Sequence, residues 1–202
     1  MTPGNLPADP PADPPADPLD ADPALASAVL EIEGHIAGSG WDQPARLYAL
    51  VDTAQLVAHE PALAAAMGLD DAAEQGSLTA IEQDQLSPEV ELEQALESIT
   101  WPPNVLGCAA VVERLVLPPD VDDAIPEDAT EAQEFAREHP DRQEVRIVAG
   151  ATRHGSTYCA LRLRAHDDDQ SVVGGIDLVP GLLALLGATL VDEPAPQPQE
   201  NP

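Results

Sequence analysis

The chain reads as an α+β domain, a mainly antiparallel sheet of about four strands packed against N-terminal, middle and C-terminal helices. Three observations predict this. Leu25, Val29, Ile32 and Ile36 recur at helical spacing near the start. Runs rich in β-forming residues are few and lie between long helical stretches. The last two runs, 143–152 and 156–164, flank one short turn and read as a hairpin, which makes their pairing antiparallel.

Each element has a local cause. Asp22 offers a carboxylate N-cap and Pro23 fills the first helical position, where a missing N–H costs nothing; Gly38 and Gly40 end that helix. Residues 46–51 (RLYALV) form a strand after a Trp41–Pro44 turn. Asp52 or Thr53 caps a short helix over 54–59, Glu60-Pro61 interrupts it, and 62–67 resume it. Residues 69–78 read as an acidic loop, and 78–84 as a short edge strand. Ser87-Pro88 opens a helix with Leu92, Ala95, Leu96 and Ile99 on one face, stopped by Trp101-Pro102-Pro103. Residues 105–117 are apolar on both alternations apart from Glu113-Arg114, the pattern of a central strand covered on each side. An acidic loop follows over 118–128, then a helix over 130–139 with Ala132, Phe135 and Ala136 inward. Asp177 is the expected cap of a final helix ending at Leu190, apolar nearly all round.

The hairpin register follows from side-chain alternation. A two-residue turn at His154-Gly155 mixes basic and apolar faces. A three-residue loop, Arg153-His154-Gly155, pairs Arg146 with Arg162, Ile147 with Leu161 and Val145 with Leu163, and places Gly155 at the left-handed position.

Composition sets the outer bounds. Residues 1–22 hold three tandem Pro-Ala-Asp-Pro units and read as a disordered, extended Pro/Asp-rich arm; residues 191–202 read as a similar Pro-rich tail. Residues 23–190 remain as one domain. The formal charge of −29 argues against nucleic-acid binding, because phosphate repulsion dominates. The apolar stretch 178–190 is shorter than the roughly 20 residues that span a bilayer, so no membrane insertion is expected. The start has neither a basic n-region nor an apolar h-region, which points to a cytoplasmic protein. Cys108 and Cys159 sit in apolar strand patterns and read as reduced, buried and unreactive.

Catalytic patterns are scarce. The sequence has no G-x-S-x-G, no G-x-G-x-x-G and no P-loop. The five histidines form no i, i+4 pair and no CxxC joins them, so no metal is expected; His166 with Asp167, Asp168 and Asp169 reads as a solvated turn. No cofactor is implied.

Charge segregation is the clearest functional signal. The chain has no lysine, and six of its eight arginines, Arg46, Arg114, Arg146, Arg153, Arg162 and Arg164, lie in strand segments or their turn. Only Glu113 and Glu144 share those segments with them, out of 37 acids. Like charges across a strand pair need neutralising. Acidic helices folded over the sheet would do this internally. An anionic partner bound by Arg146, Arg162, Arg164 and Arg114 would do it externally.

Four segments carry a resemblance: GWDQPARLYALV (40–51), LEQALESITWPPNVLGCAAVVER (92–114), HPDRQEVRIVAGATRHGSTYCALRLR (139–164) and DLVPGLLALLGATL (177–190). Together they resemble an uncharacterised actinobacterial protein family named after a propionibacterial hypothetical protein. The resemblance implies a cytoplasmic single-domain protein from such a source and transfers no catalytic residue.

The reading that results is a non-enzymatic protein-interaction or adaptor module with an arginine-bearing sheet face, bound to a protein partner or to a second copy of itself. The alternative is a small-molecule or nucleotide-binding domain, with Trp41, Tyr48 and Trp101 lining the pocket. The third reading is a divergent metal-dependent hydrolase built on His166 and its aspartates.

Overall fold

The computed structural model describes residues 21–69, 76–84, 86, 90–118, 121, 124–126 and 128–191. The expected N-terminal arm, apart from Ala21 and Asp22, and the tail beyond Val191 lie outside the described residues, as do most of the acidic loop at 69–78 and the Ser87-Pro88 helix start.

Among the described residues six α-helices and six strands follow one another along the chain. They are α1 (Pro23–Ala37), β1 (Arg46–Asp52), α2 (Thr53–His59), α3 (Pro61–Ala66), β2 (Leu78–Glu82), α4 (Leu92–Glu97), β3 (Gly107–Val116), α5 (Ala129–Glu138), β4 (Gln143–Thr152), β5 (Thr157–Leu163), β6 (Val173–Gly175) and α6 (Pro180–Thr189). The strands form one sheet in the order β2-β1-β3-β4-β5-β6, antiparallel at every pairing. The α+β class therefore holds, but the sheet has six strands rather than about four. The strand that sequence reading lacks is β6. It is three residues long, with two glycines, and carries no alternation to detect.

The pleat sorts two cores. On one face Tyr48, Leu50, Ala109, Val111, Val148 and Ala160 pack against Leu25, Ala28, Val29, Ile32 and Ile36 of α1. On the other, Leu47, Ala49, Cys108, Ala110, Val112, Ile147 and Cys159 pack against α4, α6 and Trp101. Helix α1 comes close because Gly150 leaves room: a Cβ there would stand 2.8 Å from a Val29 methyl and 3.0 Å from a Leu25 methyl.

The hairpin register is Val145↔Leu163, Arg146↔Arg162 and Ile147↔Leu161, and Gly155 takes φ 85° in the three-residue loop. Asp22 caps α1 through Ala24 and Leu25. One cap differs from expectation. Helix α6 starts at Pro180 with Val179 as its N-cap, which leaves Asp177 exposed and outside the helix.

Candidate functional site

The even-numbered residues of β4 and β5 face α1, so the alternation that places Val148 and Ala160 in its core also directs Arg146 and Arg162 there. Neither guanidinium reaches solvent: Arg146 is 0% exposed and Arg162 2%. Arg162 forks onto both oxygens of Glu33 at 2.6 and 2.8 Å, and meets Asp169 at 2.9 Å and Asp167 at 3.4 Å. Glu33 first, and then Asp169, hold its pKa above the ordinary arginine value against the opposing effect of burial. Arg146 donates to Glu113 at 2.9 and 3.2 Å and to the Gly40 carbonyl.

Trp41 covers the pair from the α1–β1 loop. Its ring centroid lies 4.3 Å from the Arg146 guanidinium and 5.6 Å from that of Arg164, while Nε1 donates to Asp167 at 2.9 Å. Asp42 follows in the left-handed region, φ 64°, a conformation Asp tolerates better than most residues. That turn aims its two oxygens at Arg164, at 3.0 and 2.9 Å, and Glu144 holds the same guanidinium. Hydrogen bonding to Arg164 lowers the Asp42 pKa below the usual carboxylate value.

This arrangement corrects the expected cationic face. Three guanidiniums, Arg146, Arg162 and Arg164, stand among six carboxylates, Glu33, Glu113, Glu144, Asp42, Asp167 and Asp169, a formal excess of three negative charges. The two most buried cations belong to the core, and only Arg164 of the three reaches solvent. Arg114 is not part of the cluster. It pairs with Val145 across the sheet, so it points to the opposite face, where it binds Glu93 of α4 at 2.7 Å. Glu33 is the partner that sequence reading missed. Its signal was local: it lies four residues after Val29 and three before Ile36, inside the apolar stripe of α1, where an acid needs a buried cation.

The three aromatic candidates do not converge on a pocket. Trp101 is buried in the core under α6, Tyr48 in the core under α1, and Trp41 caps the arginine cluster. Among the described residues no group of His, Cys, Asp and Glu is arranged to hold a metal ion. His166 and Asp167–Asp169 are exposed, and two of those aspartates are engaged by Arg162.

Both cysteines are free and buried. Burial pushes each thiol up to about 11, against partial relief from Thr189 at Cys108 and from backbone groups of Leu178 and Val179 at Cys159. Thiol reagents at neutral pH should therefore label the native protein slowly, and urea should accelerate labelling at the unfolding transition. Rapid native labelling of Cys159 would contradict its placement.

Three concavities border β2. Two adjoin on the α1 face, of about 660 Å³ and 590 Å³, and share Glu31, Leu69 and Thr79. Ile32, Tyr48, Met67 and Ile81 line the second, with Glu31, His35 and Glu82 at its rim. Tyr48 is at the floor, where burial and then the Glu82 charge raise its pKa. A third hollow of about 580 Å³ lies toward α2 and α3, lined by Val51, Leu56, Leu63 and Ile81, with Asp52 and Glu60 at its edge. Among the described residues, no basic side chain pairs with Asp22, Glu31, Asp52 or Glu60; Arg46 answers Glu82 at 3.0 Å.

Fold and surface together define a small antiparallel α+β domain with an ion-paired, Trp-capped core end and an acid-rimmed sheet edge. A family model described as PPA1309-like protein matches residues 25–191, and the chain belongs to that family. No curated protein and no solved structure matches it.

Proposed function

We propose that this domain is a non-enzymatic protein-interaction module working in the cytoplasm, and that its binding surface is the hollowed edge around β2. The observation that carries this reading is the grooved edge itself: apolar residues from α1, β2 and the end of α3 line adjoining hollows at an open side of the sheet. Two of the lining residues, Leu63 and Met67, are exposed. Two buried free thiols fit a reducing compartment. The arginine face supports binding less well. An anionic partner there would have to displace Asp42 and Glu144 from Arg164 and would meet Asp167 and Asp169 at the surface.

A small ligand is the second reading, favoured by hollows of a size that ligands commonly fill. Met67→Arg with Leu69→Arg blocks the groove without touching either core cluster. Protein retained from source-cell lysate by the wild type and lost by this folded variant supports the module. A metabolite seen by native mass spectrometry on the wild type alone supports the second reading. Identical retained proteins on both chains, with no metabolite, defeat both.

A further inference from the structure

We infer that the partner of the β2 edge is a basic, extended segment that adds to the sheet as a strand on the outer side of β2. This rests on the groove reading above and adds the binding mode and the partner's chemistry.

The backbone carries the first part. Among the described residues strand β2 ends the sheet and pairs only with β1. Gln83, just past its end, donates its N–H to Leu47 of β1 at 2.9 Å. Backbone groups alternate sides along an antiparallel strand, so Ala80 and Glu82 turn their N–H and C=O groups outward. Among the described residues these outward groups meet no partner. The opposite edge, β6, is three residues with two glycines, too short to template a strand. Strand β2 is longer, with Leu, Thr and Ile among its five residues and neither proline nor glycine.

Side-chain space carries the second part. Ile81 lines hollows on both sides of the sheet, one toward α1 and one toward α2 and α3. A strand laid on β2 would drop alternate side chains into the two, which is how edge addition combines backbone affinity with side-chain selection. Glu31 stands over one hollow, Asp52 and Glu60 over the other, all without basic partners among the described residues, on a chain of net charge −29. That field draws in a cationic segment and repels an acidic one. It also disfavours a second copy of this chain, whose own β2 would bring the same acids to the seam.

The test uses the full chain and an acetylated peptide of alternating valine and arginine, with binding followed by fluorescence anisotropy. A peptide of the same sequence, N-methylated on the amides facing β2, keeps the charge and removes the donors. Binding of the first with at least about fivefold weaker binding of the second is expected, because each lost backbone bond weakens binding severalfold. Ala80→Pro removes an outward N–H while leaving the β1 ladder intact, and should weaken the unmodified peptide by a similar factor with little change in melting temperature. Hydrogen exchange should slow at the Ala80 and Glu82 amides when peptide is bound. Equal binding of both peptides, or no binding of the first, overturns strand addition; the Met67→Arg and Leu69→Arg comparison then still decides whether the groove binds protein. Binding of a valine–glutamate peptide as tight as the arginine one overturns the charge assignment. A concentration-dependent dimer abolished by Ala80→Pro overturns the proposal in favour of a second copy.

Discussion

Reversing both buried cations, Arg146→Glu with Arg162→Glu, is expected to unfold the domain. Each substitution puts a carboxylate beside an existing one, Glu113 at position 146 and Glu33 at position 162, in a space that excludes water. Breaking one buried ion pair by removing a partner costs about 3–5 kcal/mol, because the surviving charge is left without compensation. Two such losses, with repulsion added, match or exceed the roughly 5–15 kcal/mol that holds a typical domain together. Circular dichroism and amide dispersion in the NMR spectrum should both report a largely unfolded chain at 25 °C. The single change Arg162→Ala should leave a folded protein destabilised by about 3–5 kcal/mol in urea titrations. Replacing Arg162 and Glu33 together by leucine should recover most of that loss, since a well-packed apolar pair often matches a buried bridge. If the double glutamate variant melts like the wild type, the guanidiniums are solvated and the cluster is surface charge after all.

The sequence makes the arginines visible but not their partners, and the difference is physical. Alternation is a local property, so pairing Ile147 with Leu161 and Val145 with Leu163 follows from the faces of two short segments, and Arg146 opposite Arg162 comes with them. Helix α1 is legible for the same reason, from its stripe and its Asp22-Pro23 start. Glu33 meets Arg162 across 129 residues of separation, and nothing within either segment states that α1 lies over β4 and β5. Placing Arg114 with the other arginines failed at the same step. It is one residue from Glu113, and that single step sends it to the other side of the sheet, toward Glu93. The groove around β2 was the least legible feature. Its walls come from α1, the end of α3 and the edge strand, which lie apart in sequence, and its importance depends on β2 being an edge, a matter of strand order rather than composition.

The absence of lysine bears on how such a core is built. Arg162 satisfies three acids and Arg146 an acid, a carbonyl and an indole face, all from planar forks in fixed positions. An ammonium has no planar face to stack and offers its donors as a compact point charge. The acids that neutralise these forks come from α1, the loop after it, β3, β4 and the turns after β5, so the cluster adds ionic ties at one end of the sheet to the apolar packing that already joins α1 to these strands.

Arg153→Ala is the second large effect expected, and it tests a different tie. The Arg153 side chain leaves the β4–β5 turn and donates to the carbonyls of Val105 at 2.8 Å, Trp101 at 2.8 Å and Pro102 at 3.0 Å, and to that of Leu190. The first three belong to the stretch between α4 and β3; the last is the C-cap of α6, where a cation also meets the negative end of the helix dipole. Its backbone N–H donates to Leu106 at 2.9 Å, so the turn is anchored in place and the guanidinium does the bridging. Truncation strands several carbonyls around buried Trp101, Val105 and Leu190, and should cost about 2–4 kcal/mol in urea titrations. Arg153→Lys should recover only a minor share, because one ammonium cannot reach carbonyls spread around a planar fork. Hydrogen exchange should accelerate first in α6 and at residues 101–106, while the Trp41 end of the sheet, on the far side of the hairpin, keeps its protection. Uniform acceleration across the whole sheet would show that Arg153 acts on global stability alone, and full recovery by lysine would show that charge at the helix end, not the fork, is what the position requires.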